Sequence, residues 1–201
     1  MNTIHDARQI LTDAWPNIVA DCRTVLGSEL HYQAMIYHCL RIAGVPIQQL
    51  GMNVKMDIKN CQSELFKKLD LRKNESYRGG FEPIPDVVIF SPDVEGDWRR
   101  RRPEVTLRTM LLAIEVKASE RAKARLGFAE IARDIDKLAA HREEAIFRKT
   151  DFLPVMMIID TAPMDKEQMT ESAIGRCTEY AHNHDVPLMY LSRHEDHSTL
   201  S

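Results

Sequence analysis

The sequence has few cysteines and no cysteine-rich motif. Four cysteines occur in 201 residues, and no two of them form a C-x-x-C pair. They are Cys22, Cys39, Cys61 and Cys177. Such scattered positions argue against a zinc site and favour free, mostly buried thiols in a reducing compartment.

Long hydrophobic runs are also missing. No stretch approaches the ~20 apolar residues that a helix needs to cross a bilayer. Residues 1–8 lack the apolar segment of a signal peptide. We therefore expect a cytoplasmic protein without a membrane partner.

A strong positive charge is the third feature that the sequence lacks. Its formal net charge is −3 at pH 7, so composition gives no general signature of nucleic-acid binding. A local basic surface can still serve that purpose. Hydrophobic residues make up 44% and charged residues 28% of the chain, which is typical of a globular protein. The length predicts a single domain over residues 1–201.

Hydrophobic periodicity predicts helices and strands along the whole chain. The first helix is predicted over residues 3–26 and is interrupted by Pro16, because proline disrupts helical hydrogen bonding. Ser28 is the predicted N-cap of a second helix that ends near Ala43. The remaining predictions are a half-buried strand at 49–59, a short helix at 62–70, a loop ending at 77–80, strands at 84–90 and 110–117 separated by a polar insertion at 91–107, a helix at 127–148, a strand at 152–160, a helix at 165–183, a strand at 187–191 and a polar, frayed tail at 192–201.

This element order predicts a mixed sheet flanked by helices. The first three strands form a meander, and the helix at 127–148 makes a crossover between parallel strands. No phosphate-binding glycine loop or nucleophile elbow is present in the sequence. An unrelated α/β enzyme would therefore need a site of another kind.

Charged residues occur in two of the apolar strands. Asp86 opens one strand, and Glu115 and Lys117 lie near the end of the next. Glu115 and Lys117 are two residues apart and point to the same face of the sheet. Ile114 and Val116 point to the other face, into the core. Because a buried carboxylate is costly unless it is paired or binds a cation, these residues are candidates for a functional site.

The pattern Pro85-Asp86 … Glu115-Val116-Lys117 resembles the motif of the PD-(D/E)xK nuclease superfamily, whose fold many restriction endonucleases and DNA-repair nucleases share. The resemblance extends over about residues 28–191. It implies a restriction-endonuclease-like, three-layer α/β/α fold with a central mixed sheet. The implied order is αβββαβ, followed here by an additional helix and strand and preceded by a helical N-terminal extension at 1–26.

The resemblance also implies metal-dependent hydrolysis of phosphodiester bonds, with DNA as the expected substrate and RNA as the alternative. Asp86 and Glu115 are then ligands of Mg²⁺, with Mn²⁺ as an alternative. The backbone carbonyl of Val116 is the implied further ligand, and Glu29, in the preceding helix, is the implied additional acid. Lys117 either positions and deprotonates the attacking water or balances charge in the transition state.

Each of these residues also has a simpler interpretation. A carboxylate in the first turn of a helix is favourable without a metal, which accounts for Glu29. An ion pair on a solvated sheet face accounts for Glu115 and Lys117, and a turn after proline accounts for Asp86. The alternative function is a non-catalytic, restriction-endonuclease-like binding or assembly module.

Basic and amide side chains near the motif are candidates for contact with nucleic acid. Gln33 lies one helical turn after Glu29, and a run of arginines follows Trp98 in the polar insertion. Phosphate contacts are one expected role of such side chains, and a solvated loop explains the arginine run equally well. The predicted set is Gln33, Arg99, Arg100, Arg101, Arg121, Lys123 and Lys137.

Other polar residues of the last two helices are expected to face solvent. They are Asp134, Asp136, His182 and His184. A small one-domain nuclease needs help to recognise DNA specifically. We therefore expect a homo-oligomer, such as a dimer, or a partner protein that supplies specificity.

Overall fold

The computed structural model describes residues 1–56, 58–70, 80–81, 83–100 and 102–200. Within these ranges the α-helices are α1 (Ile4–Thr24), α2 (Glu29–Ile42), α3 (Glu64–Asp70), α4 (Pro103–Thr109), α5 (Phe128–Phe147) and α6 (Glu171–Asn183). The strands are β1 (Leu50–Met52), β2 (Ile58–Lys59), β3 (Gly80–Phe81), β4 (Val87–Phe90), β5 (Met110–Ala118), β6 (Leu153–Asp160), β7 (Leu188–Ser192) and β8 (Asp196–Ser198). Most of the predicted loop ending at 77–80 lies outside the described residues.

A six-stranded mixed sheet forms the centre of the molecule, in the order β1-β4-β5-β6-β7-β8. The pairs β1–β4 and β4–β5 are antiparallel, and β5–β6 and β6–β7 are parallel. Strand β8 returns antiparallel to β7, while β2 and β3 form a separate antiparallel pair. The predicted meander and the predicted parallel crossover are both confirmed.

Helices cover both faces of this sheet. Side chains of a strand alternate between its two sides, so both faces carry apolar side chains that the helices bury. Ile114 and Val116 of β5 pack in one core cluster with α1 and α2. Met156 and Ile158 of β6 pack in another cluster, with α5 and α6. The protein therefore has a mixed α/β fold whose sheet lies between two helical layers, as the sequence predicts.

The predicted interruption of the first helix at Pro16 is wrong, since α1 continues through this residue. Proline inside a helix removes one hydrogen bond and costs ~3 kcal/mol. Pro16 and Thr12, four residues before it, are both exposed, so the Thr12 carbonyl is on the solvent side. The opposite side of α1 is buried at Leu11 and Ile18. Burial of residues before and after the proline, Leu11 and Ile18, therefore holds the helix together.

The single strand predicted at 49–59 is divided in the structure into β1 and β2. Asn53 takes a left-handed backbone conformation with φ of 52°, which ends β1. Its N–H donates to the carbonyl of Asp86 at 2.9 Å. The alternation in the sequence is real, because Val54 and Met56 are buried, but the chain turns between the two halves.

Three further boundaries differ from the predictions. The polar insertion at 91–107 contains the start of α4, whose Thr106 and Leu107 are buried. The helix predicted at 165–183 begins only at Glu171, after a short 3₁₀ turn. The described part of the predicted frayed tail, residues 192–200, is ordered: β8 pairs with β7, and Arg23 of α1 donates to the Ser192 carbonyl at 2.7 Å and to Asp196 at 2.9 Å.

Among the described helices, none combines the length and the apolar character that crossing a bilayer requires.

Candidate active site

Asp86 and Glu115 lie next to each other at the junction of β4 and β5. Val87 is paired with Ile114 across the two strands, so Asp86 comes one step beyond that pair, opposite Glu115. The N–H of Asp86 donates to the Ile114 carbonyl at 3.0 Å. In return, the N–H of Val116 donates to Oδ2 of Asp86 at 2.7 Å. Backbone pairing therefore fixes the carboxylate of Asp86 beside β5.

Asp86 is buried and Glu115 is half-buried, and the two carboxylates share an unfavourable environment. Burial raises the pKa of Asp86 to about 7, opposed by the hydrogen bond from Val116 and increased by the charge of Glu29. Burial, followed by the charges of Asp86 and Asp134, raises the pKa of Glu115 to about 8. Each group thus makes ionisation of the other harder.

Lys117 lies two residues beyond Glu115 and contacts carboxylates of two helices. Its Nζ is 3.3 Å from Oε2 of Glu29 in α2 and 3.2 Å from Oδ2 of Asp134 in α5. Burial disfavours the charged ammonium, but Asp134, Glu29 and Glu115 outweigh it and raise the pKa of Lys117 above its ordinary value. Lys117 is therefore held as a cation between α2 and α5.

Glu29 occupies the first turn of α2, and its side chain is partly exposed. Ser28 precedes it as predicted but makes no capping hydrogen bond with its side chain. The N–H of Glu29 instead donates to Oε2 of Glu120 at 2.8 Å. Glu120 lies two residues after the end of β5. The same end of this strand therefore carries Lys117 and anchors the start of α2, which carries Glu29.

The prediction that Asp134 faces solvent is wrong. Asp134 is only 4% exposed and binds Lys117 as well as Nζ of Lys137, which lies 2.5 Å from Oδ1. It sits on the inner side of α5, next to the buried Ile131 and Ile135. A carboxylate within the apolar stripe of a helix is the sequence signal that could have identified it.

Asp136 and His184 are also less exposed than expected. Tyr180 donates to Oδ1 of Asp136 at 2.7 Å, and Nδ1 of His184 lies 2.8 Å from the Tyr180 carbonyl. The first contact joins α5 to α6, and the second lies at the end of α6. His182 is exposed, as predicted.

Gln33 is connected to the site through one intermediate residue. It is buried, and its Oε1 accepts a hydrogen bond from Nδ2 of Asn53 at 3.2 Å. Asn53 in turn holds the carbonyl of Asp86. Gln33 therefore supports the turn beside Asp86.

Two of the predicted basic contacts, Arg99 and Arg121, pair with carboxylates elsewhere on the surface. Arg99 pairs with Asp97 at 2.6 Å, and Arg121 pairs with Glu130 at 2.5 Å. Lys123 is exposed, with its backbone N–H bonded to Glu167. Of the remaining members, Arg100 is exposed and Lys137 pairs with Asp134 at the site. Arg101 lies outside the described residues.

The donor chemistry of the site suits a divalent cation. Four carboxylates (Asp86, Glu115, Glu29 and Asp134) face two ammonium groups (Lys117 and Lys137), which leaves an excess of two negative charges when all are ionised. Within the described part of the chain, no three His, Cys, Asp or Glu side chains form a group that could hold a metal ion. Mg²⁺ commonly uses one or two carboxylates and takes its other ligands from water and substrate phosphates, so the pair Asp86 and Glu115 fits this ion.

Comparison of the chain with protein-family models, with curated proteins and with solved structures finds no match.

Proposed function

We propose that the protein is a metal-dependent nuclease that hydrolyses phosphodiester bonds in DNA. The observation that supports this most directly is the position of Asp86 opposite Glu115, with Lys117 on the same face of β5. The arrangement matches the roles that the PD-(D/E)xK resemblance implies for these residues. The antiparallel β1-β4-β5 unit followed by the parallel strand β6 supports a restriction-endonuclease-like fold in the same way.

Asp86 and Glu115 would hold Mg²⁺, or Mn²⁺ in its place, and the carbonyl of Val116 is a further ligand by resemblance. A bound cation of this type neutralises phosphoryl oxygens and lowers the pKa of a coordinated water. The N–H of Val116 keeps the Asp86 carboxylate facing Glu115. Glu29 forms an ion pair with Lys117. It would therefore hold that ammonium in place and add its own negative charge to the metal site.

Lys117 would act through its positive charge. Two carboxylates within 3.3 Å keep the ammonium protonated, because an opposite charge at this distance favours the ionised form. A protonated lysine donates hydrogen bonds and has no free pair to accept a proton. Of the two roles open for Lys117, stabilising the charge of the phosphoryl transition state is therefore favoured over removing a proton from water.

A direct experiment incubates the purified protein with double-stranded DNA, single-stranded DNA and RNA, in Mg²⁺, in Mn²⁺ and in EDTA. We expect cleavage of DNA that requires the metal and is lost in Asp86→Asn and Lys117→Met. Asp93→Asn is the matched control, because it removes an exposed carboxylate outside the site. Equal cleavage by the wild type and Asp86→Asn would refute the proposal.

A non-catalytic binding module is the second candidate function. The observation that favours it is the pairing of Lys117 with both Glu29 and Asp134, which gives the lysine a structural role without any substrate. Calorimetric titration with Mg²⁺ and Mn²⁺ separates the two candidates. A module of this kind shows no cation binding that depends on Asp86, whereas a nuclease loses binding in Asp86→Asn.

A further inference from the structure

A cleft of about 870 Å³ lies between β2, the start of α4 and the end of α5. Among the described residues that line it, four are cationic, namely Lys59, Arg100, Arg102 and Arg148, and one is acidic, Glu104. The volume is in the range of pockets that take small-molecule ligands. The described part of this lining is thus predominantly basic, in a protein whose overall charge is negative.

Two of the arginines are held in place by carboxylates behind them. Arg148 donates through Nε to the buried Glu144 at 2.8 Å and through Nη2 to the Lys59 carbonyl at 2.9 Å. Arg102 donates through Nη1 to Asp97 at 3.2 Å. A guanidinium has five N–H donors, so each arginine keeps donors for a ligand while its orientation is fixed.

Lys59 differs from these arginines because no carboxylate among the described residues forms an ion pair with it. Its side chain is exposed at the cleft, where an ammonium binds phosphate as a compact point charge. Arg100 is likewise exposed at the cleft. Substitution of Lys59 and Arg100 therefore leaves in place the ion pair of the buried Glu144 with Arg148 and the ion pairs of the half-buried Asp97 with Arg99 and Arg102.

The cleft also has an apolar part. The half-buried Val105 lines it, together with Ile58 and Leu107, which are each only 3% exposed. Such a surface accepts the face of a planar ring, whereas the cations accept an anion. The combination suits a ligand that has both an aromatic ring and a phosphate group.

The position along α5 separates this cleft from the candidate active site. Asp134, which binds Lys117, and Arg148, which lines the cleft, are 14 positions apart in sequence. At 1.5 Å of rise per residue, that spacing corresponds to ~20 Å along the helix. Substitutions in the cleft can therefore be made without touching the candidate active site.

We propose that this cleft binds a nucleotide, with the phosphate against Lys59, Arg100 and Arg102 and the base on the apolar surface of Ile58, Val105 and Leu107. The nucleotide is either free or part of a nucleic-acid chain, since both present the same phosphate and base. The inference is independent of catalysis at Asp86 and adds a ligand site to the proposed function.

The test is a binding measurement in EDTA, so that cleavage plays no part. The probes are a fluorescently labelled single-stranded oligonucleotide, adenosine monophosphate and inorganic phosphate. Lys59→Gln/Arg100→Gln is expected to weaken binding of the nucleotide-containing probe by about tenfold or more, the effect of losing one charge-assisted hydrogen bond. Glu104→Gln is expected to strengthen it severalfold, because it removes the acid of the cleft.

Lys166→Gln/Arg193→Gln is the matched control, since both residues are exposed, lie outside the cleft lining and carry the same charge. Binding of adenosine monophosphate supports a free nucleotide as the ligand, and binding of the oligonucleotide alone supports a nucleic-acid chain. Three results overturn the proposal: no binding of either probe, equal loss in the control, or inorganic phosphate binding as tightly as the nucleotide. Retained binding in Asp86→Asn separates this outcome from any failure of the nuclease proposal.

Discussion

The N–H of Val116 donates a hydrogen bond to Oδ2 of Asp86 at 2.7 Å, which anchors this carboxylate to the central strand β5. The same contact keeps Asp86 opposite Glu115, although like charges that face each other across two strands are unfavourable. The backbone thus maintains a pair of acids that would otherwise move apart. Four consequences of this arrangement can be measured.

The stability of the protein should fall as the pH rises from about 4 to about 7, and Asp86→Asn should reduce this fall. The pKa of Asp86 is about 7 in the folded protein and ~3.9 in an unfolded chain. Between these values the folded state binds more protons than the unfolded state, so stability decreases with increasing pH. Asparagine can still accept the hydrogen bond from Val116 but carries no charge.

The expected result is that Asp86→Asn is more stable than the wild type near pH 8, by on the order of 1 kcal/mol, and nearly equal to it near pH 4. Denaturant unfolding at a series of pH values measures the difference. Asp93→Asn serves as the exposed control and should follow the wild type. Parallel curves for wild type and Asp86→Asn would contradict the burial of an ionisable Asp86.

Cation binding should become tighter as the pH rises from about 6 to about 9. Mg²⁺ and Mn²⁺ bind ionised carboxylates, and the raised pKa values of Asp86 and Glu115, about 7 and about 8, mean that protons compete in this interval. Each proton released on binding changes the affinity by up to about tenfold per pH unit. Calorimetry in two buffers of different ionisation enthalpy counts the protons. Affinity that stays constant over this interval, or that survives in Glu115→Gln, is incompatible with the site.

Lys117→Met should destabilise the fold by about 1–3 kcal/mol, because it removes one ionic partner from the buried Asp134. Adding Asp134→Asn should recover part of this loss, since the second change removes the carboxylate left under-paired. Lys137→Met is the comparison: Lys137 also binds Asp134 but is far more exposed, so its loss should have a smaller effect. Additive effects of Lys117→Met and Asp134→Asn would show that the two side chains do not interact.

Glu120→Ala should loosen the start of α2 and thereby displace Glu29. The carboxylate of Glu120 caps the N–H of Glu29 at 2.8 Å, and loss of a helix cap costs ~1 kcal/mol. Glu120→Gln keeps an oxygen at this position and should retain most of the stability. If nuclease activity is present, it should fall in Glu120→Ala and recover in Glu120→Gln, while equal activity in both variants would remove Glu120 from the support of Glu29.

Local patterns in the sequence predicted the sheet and the facing of β5 but not the contacts between helices. Alternation along β5 correctly placed Glu115 and Lys117 on one side and Ile114 and Val116 on the other. The role of Asp134 was missed because its partner Lys117 lies in another element. Periodicity indicates which side of a helix is apolar. It does not indicate the ion-pair partner of a charged residue on that side when the partner lies in another element.

Turns caused the other differences. The alternating pattern at 49–59 contains Asn53, whose left-handed backbone ends β1, and a pattern of period two does not register such a turn. Strand β8 was missed because it is short and polar and is held by Arg23 of α1, a residue 169 positions away from Ser192. Contacts of that range are set by the fold as a whole.

The outermost strands of the large sheet, β1 and β8, have three residues each. A partner chain that added a strand there would gain few backbone hydrogen bonds, and β8 carries Asp196 at its start. Short edge strands, one of them charged, discourage edge-to-edge association. A dimer of the protein would consequently form through helices or loops. Fibres that grow by adding one sheet edge to another are disfavoured for the same reason.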